Sequence, residues 1–575
     1  MNCTALRSFL SFFLSLGICS IVSAQVLATP FERGNRNQTA SYQQMLDFYA
    51  ELEKFPSITT RKWGTTDSGE PLLIVFYNYN PKKTFSEDRG LVLINNGIHP
   101  GEPDGIDASM RLLRDLASGK IPHLKNTSVA VVASYNVGGM LNRNAFTRVN
   151  QNGPESYGFR GNARNFDLNR DFIKTDSRNA VSFQELVHEL KPEFFIDNHV
   201  SNGADYQHTL TYIATNKERL GKTLGEFYHR TMNPEVLKDL KAKGIEAIPY
   251  VNVWGTTPDK GYDQFMDSPR YATGYTSLFD IPGTVVETHM LKPYAEREEA
   301  TYQNMLSHLR YLEKNWQKLH KARKENRREY TAGKNYPLQW KVDRSVSDSL
   351  LFSGYKGLEV PSGVTGLTRL KYDRNAPYTK HIPFYTNYTP TLAVKVPRFY
   401  VVPKSQWPII AHLKRNRIQT TVITQDTLVT AEVYRIKDFN TVAAPYEGHY
   451  LHSNVQVDTT MESVRLQLGD LLVPTAQPGI KYLLETLEPQ GVDSFFAWNY
   501  FDSILGQKEH YSDYVFEDTA LELLSKNPDL RERFKKMLKE NPGAQKSSRQ
   551  QLDWIYHASP HYESSHRKYP IYRIH

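Results

Sequence analysis

Residues 91–102 read Leu-Val-Leu-Ile-Asn-Asn-Gly-Ile-His-Pro-Gly-Glu, an apolar run that breaks into a tight turn carrying His99 and Glu102. Leu91 to Ile94 show no polar alternation, the pattern of a strand covered on both faces. Gly97 and Pro100 mark the turn, and a helix-forming stretch over 104–118 follows it. A neutral imidazole and a carboxylate three residues apart on such a turn can close on one small dication, and Zn²⁺ favours nitrogen together with oxygen donors.

The pair needs a third donor. It is expected from Pro-Glu-Phe-Phe-Ile-Asp-Asn-His (192–199), an apolar strand ending in His199, while Gly-Thr-Val-Val-Glu-Thr-His (283–289) carries Glu287. An acid inside an apolar strand is rarely buried without a partner or a task. His289 lies two residues beyond Glu287, on the same strand face, and competes with His208 as an alternative ligand. The plainer role for both is a hydrogen-bonded polar contact.

Working outward, strands are expected near 57–64, 71–78, 91–96, 128–135 and 193–199. Helices are expected at 42–52, 104–118 and 178–190, with a charged helix over 295–328 that carries Leu306, Leu309 and Leu312. This alternation predicts an α/β fold, a mixed, mostly parallel sheet with helices on both faces. Residues 340–475 are rich in Val, Thr, Tyr and Pro, as short strands would be, and helical pattern returns from Phe495. The expected organisation is a signal peptide (1–24), a catalytic domain (25–330), a β-rich accessory region (335–480) and a helical C-terminal region (481–575). The aromatic run Phe495-Phe-Ala-Trp-Asn-Tyr-Phe501 is expected to be core.

The first 24 residues combine Arg7, an apolar stretch from Phe9 to Val22 and the small pair Ser23-Ala24 before Gln25. That is the layout of a secretory signal, too short and too serine-rich for a spanning helix. Cys19 raises a lipoprotein reading, which Ile18 disfavours because a small residue is expected there. Export to a periplasm or the extracellular space is therefore expected. Both cysteines, Cys3 and Cys19, would leave with the signal, so the mature chain would carry no disulfide. No pro-segment is evident between Gln25 and the first helix.

The chain has 575 residues, 39% of them hydrophobic, and a formal charge of +8 with its basic residues dispersed among 62 acids. That length supports two or three domains. The dispersed charge and the lack of a groove-reading motif argue against nucleic-acid binding.

Between the expected strands 128–135 and 193–199 lies an arginine-dense loop, Asn142-Arg-Asn-Ala-Phe-Thr-Arg148, continuing to Asn165-Phe-Asp167-Leu-Asn169-Arg170-Asp171-Phe172. Long loops inside compact domains are usually functional or disordered, and the aromatics argue against disorder. Arginine offers a planar fork to a carboxylate and asparagine a neutral donor beside it, so the loop suits an anionic substrate end. Arg143, Arg160 and Arg164 have the competing role of pairing with acids such as Glu155.

Over roughly residues 40–310, these motifs, taken in order, resemble the zinc metallocarboxypeptidases related to carboxypeptidase A. The resemblance implies one zinc ion per chain held by His99, Glu102 and His199, with Glu287 as general base. It implies that Asn169 and Arg170, within Asp-Leu-Asn-Arg-Asp-Phe, grip a peptide's free C-terminal carboxylate, and that Asp167 orients the first zinc histidine. Arg148 is the best match for the arginine that polarises the scissile carbonyl, with Arg143 competing. The family's digestive members carry a mobile tyrosine ahead of the catalytic glutamate, where this chain has Phe265. The segment Ser268-Pro-Arg-Tyr-Ala-Thr-Gly-Tyr275 is expected to build the specificity wall instead, with Arg270 and Tyr275 touching substrate. Two rivals remain: a zinc amidase or deacylase acting on cell-wall peptides, and a catalytically dead binding module.

Overall fold

Leu91–Ile94 lies in the middle of the main sheet. The structure, a computed structural model, describes residues 27–79 and 89–575; the expected signal peptide, with Cys3 and Cys19, lies outside the described residues. The first nine strands are β1 (Ile58–Trp63), β2 (Leu72–Tyr77), β3 (Gly90–Asn96), β4 (Thr127–Val132), β5 (Phe194–Ser201), β6 (Leu210–Ala214), β7 (Ile248–Pro249), β8 (Tyr262–Asp263) and β9 (Gly283–His289). All but β8 form one eight-stranded sheet in the order β1-β2-β4-β3-β5-β9-β6-β7. The centre is parallel: β3 pairs with β4 and β5, and β5 with β9. Antiparallel pairs flank it, β1 with β2, β2 with β4 and β6 with β9. Helices complete the α/β architecture, including Tyr42–Leu52, Asp104–Ala117, Arg178–Leu190 and the long Tyr294–Asn326.

Alternation along β3 explains why an unbroken apolar strand is needed. Val92 and Ile94 join Phe194, Ile196, Leu112 and Leu309 in the core on one side. Leu91 and Leu93 join Ile74, Phe76, Phe183 and Phe195 on the other. Gly105, one residue into its helix, lies so close to β5 that a Cβ there would fall 2.4 Å from Asn198 Cβ. That close approach brings the start of the helix, just past Glu102, against the strand that carries His199.

Downstream come β10 (Asn335–Val342), β11 (Asp348–Pro361), β12 (Thr368–Tyr385), β13 (Tyr388–Lys395), β14 (Phe399–Val402), β15 (Thr421–Val422), β16 (Thr427–Thr441), β17 (His452–Leu466) and β18 (Leu471–Pro474). The short strands expected here are partly long: β11, β12, β16 and β17 have 14, 18, 15 and 15 residues. They form two hairpins whose strands are exposed over much of their length and so lack the apolar periodicity that reveals length. The last strand, β19 (Tyr572–Ile574), corrects the expectation of a helical end. It lies between β14 and β16 in a sheet ordered β15-β18-β14-β19-β16-β17. Three residues are too few for a sequence pattern.

Tyr400, Val402, Tyr482, Phe496 and Trp498 share the core formed by Leu91, Leu93 and Phe195. The region after 335 thus joins the apolar cluster on one side of the main sheet, where it meets the helix Arg178–Leu190 and the segment 270–275. Buried charge ties the two parts together, with Arg219 paired to Glu485 at 3.2 Å and Lys481 to Asp280 at 2.9 Å. Among the described residues, no helix is long and apolar enough to cross a membrane.

Candidate active site

Parallel strands all end at one edge of a sheet, and the loops beyond their carboxyl ends gather side chains there. The turn after β3 places His99 and Glu102 at that edge, closed by the Glu102 amide donating to the His99 carbonyl at 2.8 Å. In β5 and β9, His199 and Glu287 are direct register partners, so their side chains project side by side from the same face.

His99, Glu102 and His199 are all buried, and one ligand atom from each lies within 4.8 Å of the other two. His99 Nδ1 is 3.3 Å from Glu102 Oε1 and His199 Nδ1 is 3.0 Å from Glu102 Oε2. The opposite nitrogens are committed: His99 Nε2 meets Asp167 Oδ1 at 2.8 Å and His199 Nε2 meets Asp197 Oδ2 at 3.0 Å. An ionised carboxylate has no proton to give, so each Nε2–H donates, which leaves Nδ1 as the nitrogen that a neutral ring can offer to a metal. Two imidazole nitrogens and one carboxylate oxygen, each imidazole backed by an aspartate, fit a tetrahedral dication with one open position.

Electrostatics in the cluster run in opposite directions for its two glutamates. Burial alone would raise the Glu102 pKa, but Arg148, His99 and His199 overcome it and hold the carboxyl well below its ordinary value. Burial pushes Glu287 up to about 8, with Glu102 and Asp197 adding to it against His199 and Arg148. Asp167 is held far below the usual range, since His99, Arg160 and Arg170 outweigh its burial. His199 is raised well above its ordinary value because Asp197 and Glu102 outweigh burial. Among the described residues, no hydrogen bond or ion pair holds the Glu287 side chain.

A cavity of about 270 Å³ opens over the cluster, lined by His99, Glu102, His199, Glu287, Asn169 and Arg170, with Tyr250, Trp254, Phe265 and Tyr271 among its walls. Asn169 and Arg170 sit in the short helical turn Leu168–Arg170, capped by Asp167, whose side chain accepts from the Asn169 amide. Arg170 stacks over Tyr271, 4.6 Å from its ring centre.

Three expected contacts are redrawn. Arg148 does not line the cavity; its guanidinium is held between Glu102 Oε1 at 2.7 Å and Gln151 Oε1 at 2.7 Å. Arg160 takes the cavity position, with its guanidinium bonded to Asp167 Oδ2 and NH1 3.3 Å from His99 Nδ1. Arg270 is already neutralised, its Nε 2.7 Å from Asp493 Oδ1, and it lies over the Trp498 ring. Tyr275 is fully buried and gives its hydroxyl to Asn416 at 2.7 Å, away from the cavity. The helix Ala272–Ser277 turns that side chain inward, and the sequence showed no period from which to read its direction.

The remaining candidates have structural roles. Arg143 ties the loop to the Thr39 and Ala40 carbonyls, and Glu155 meets Asn35 and Gln38. His208 accepts from the Ser353 amide, and His289 accepts from the Tyr206 amide. Neither belongs to the candidate metal cluster. Asp197 escaped the sequence reading although it left a signal: Asp-Asn-His places it two residues before His199, on the same face of β5. Tyr446 and Glu447, which touch the Asp167–Arg170 segment from 276 and 280 residues away, left none.

The chain matches no established family profile. Carboxypeptidase 2 of Trichophyton equinum is 22% identical over 433 residues, 71% of this chain and 73% of its own length. Carboxypeptidase 2 of Trichophyton rubrum is 21% identical over 431 residues, with the same coverage. Among solved structures, a metallo-carboxypeptidase from Burkholderia cenocepacia is 16% identical with a TM-score of 0.35, over 47% of this chain and 69% of that one. One from Pseudomonas aeruginosa is 15% identical with a TM-score of 0.36, over 49% and 70%.

Proposed function

We propose that this chain, which belongs with the metallocarboxypeptidases, is an exported zinc-dependent exopeptidase that removes residues from the free C-terminus of peptides. The observation that carries the reading is one cavity in which the His99–Glu102–His199 cluster, the unpaired carboxyl of Glu287 and the Asn169–Arg170 pair all meet. A hydrolytic centre and an anion clamp that share a space this small suit a bond close to a chain end.

When bound, zinc would supply Lewis acidity, polarising the scissile carbonyl and acidifying water toward neutrality. Glu287, beside His199, takes the proton of the attacking water and passes it to the leaving amine. Arg160 faces the developing oxyanion, a role worth roughly 3–4 kcal/mol for a well-placed donor. Asn169 and Arg170 hold the terminal carboxylate, which sets the register of cleavage. Asp167 and Asp197 keep both imidazoles in the tautomer that presents Nδ1. The walls of Tyr250, Trp254 and Tyr271 receive the terminal side chain.

Paired substrates test the reading. A peptide with a free C-terminus should be trimmed from that end, and the same peptide amidated there should be cut far more slowly. Arg170→Ala should lower kcat/KM on the free acid by at least about tenfold, as expected for losing a charge-assisted hydrogen bond, and barely change the amide. Equal rates on both peptides, or internal cleavage, would replace the carboxypeptidase with an amidase on the same scaffold.

A further inference from the structure

Between β16 and β17 the chain makes a tight reversal in which Tyr446 and His449 exchange backbone hydrogen bonds of 2.8 and 3.1 Å. The two residues between them, Glu447 and Gly448, have φ of +48° and +84°. Glycine takes that left-handed conformation freely, whereas a glutamate rarely does. Each of the turn's polar side chains bonds to the segment around the proposed clamp, and the Tyr446 ring also lies under Arg270. Arg170 Nε donates to Tyr446 Oη at 3.0 Å, and the Asp167 amide donates to Glu447 Oε2 at 2.8 Å. His449 Nε2 meets Asp176 Oδ2 at 2.7 Å, and Asp176 also receives Lys174 Nζ at 2.6 Å. A Cβ on Gly448 would come 3.1 Å from the Phe166 ring, so this position also needs glycine for space. The turn therefore holds the segment on both sides of Asn169 and Arg170.

We propose that the turn Tyr446–His449 is a positioning element of the active site, fixing the Asp167–Arg170 segment so that Arg170 presents its guanidinium to the substrate's terminal carboxylate. Arg170 is anchored through Nε to Tyr446, through NH1 to the Asn169 carbonyl and by its face on Tyr271. With Nε taken, the free edge of the fork is directed by its anchors. Glu447 acts one step further back. It satisfies the amide of the residue whose side chain holds His99, and so links the segment's backbone to both the clamp and the histidine. On this view residues 427–466 serve the catalytic cavity as well as the core beneath it.

The clamp part of this inference rests on the carboxypeptidase reading; the fixing of the segment does not. The test uses full-length wild type, Tyr446→Phe, Glu447→Ala and Glu447→Gln, with hydrogen exchange over 165–171 measured beside kcat and KM. Glu447→Ala should speed exchange at Asp167 by about fivefold or more, the loss of one hydrogen bond, and Glu447→Gln, which keeps an acceptor oxygen, should restore most of the protection. Tyr446→Phe should raise KM for the free-acid peptide by about tenfold while kcat stays within about twofold. A merely destabilised protein would instead lose apparent kcat at unchanged KM. Unchanged exchange in Glu447→Ala, or an unchanged KM in Tyr446→Phe, overturns the proposal. If wild type fails to distinguish free acid from amide, the carboxypeptidase reading falls, and exchange alone still decides whether the turn fixes the segment.

Discussion

Replacing Glu287 by glutamine separates chemistry from binding more cleanly than any other single change in this site. Glutamine keeps the size and shape of the side chain and removes the proposed base. Because no hydrogen bond or ion pair among the described residues holds that carboxyl, no structural contact is lost with it. Zinc and peptide should bind as before, while kcat falls by a factor of about 10²–10⁴, the range for a positioned general base. That factor corresponds to about 3–5 kcal/mol of barrier. Steady-state kinetics on a free-acid peptide, with zinc measured by elemental analysis in the same samples, provides the assay. Stability gives a second readout with a definite sign. In metal-free protein, burial raises the Glu287 pKa from 4.5 to about 8. The folded state therefore holds its proton more tightly than the unfolded state, and wild type loses stability as pH rises through that window. Metal-free Glu287→Gln should match wild type at pH 4 and exceed it in Tm by a margin that grows up to about pH 8. Near-normal turnover would refute the base assignment, and loss of zinc would mean that Glu287 is a ligand.

Further outcomes follow from the same contacts. His99→Ala or His199→Ala should abolish zinc retention under chelator challenge, and Asp197→Asn should weaken zinc affinity by about 10–100-fold because it loosens the hold on the His199 tautomer; unchanged zinc content in either histidine variant would remove that residue from the ligand set. Phe496→Ala should cost about 3–5 kcal/mol of unfolding free energy, since that ring is fully buried in the core shared with Leu93 and Phe195. Denaturant unfolding followed by fluorescence should show one shifted transition, and a main sheet that unfolds at its wild-type midpoint would show that the two parts are not coupled.

Sequence by itself determined the centre of the fold and pointed to the candidate metal cluster. Leu91–Ile94, Phe194–Ile196 and Val285–Val286 are apolar without alternation, as in a sheet covered on both sides, and each run leads to a polar group that the parallel arrangement gathers at one edge. His99, Glu102, His199 and Glu287 were legible for that reason: periodicity fixes which way a strand residue points, and a strand's end fixes where its loop begins. The arginines obeyed no such rule. Arg148, Arg160 and Arg270 lie on irregular backbone with long side chains, and which guanidinium reaches the cavity was decided by Gln151, Asp167 and Asp493 taking hold of them. Tyr275 went to the core because its short helix packs there. The hold of Tyr446 and Glu447 on the Asp167–Arg170 segment was wholly a product of tertiary structure. Contacts between residues some 280 positions apart leave no local period or spacing in the chain, and they exist only because the region after 335 folds back onto the helix Arg178–Leu190 and the segment 270–275.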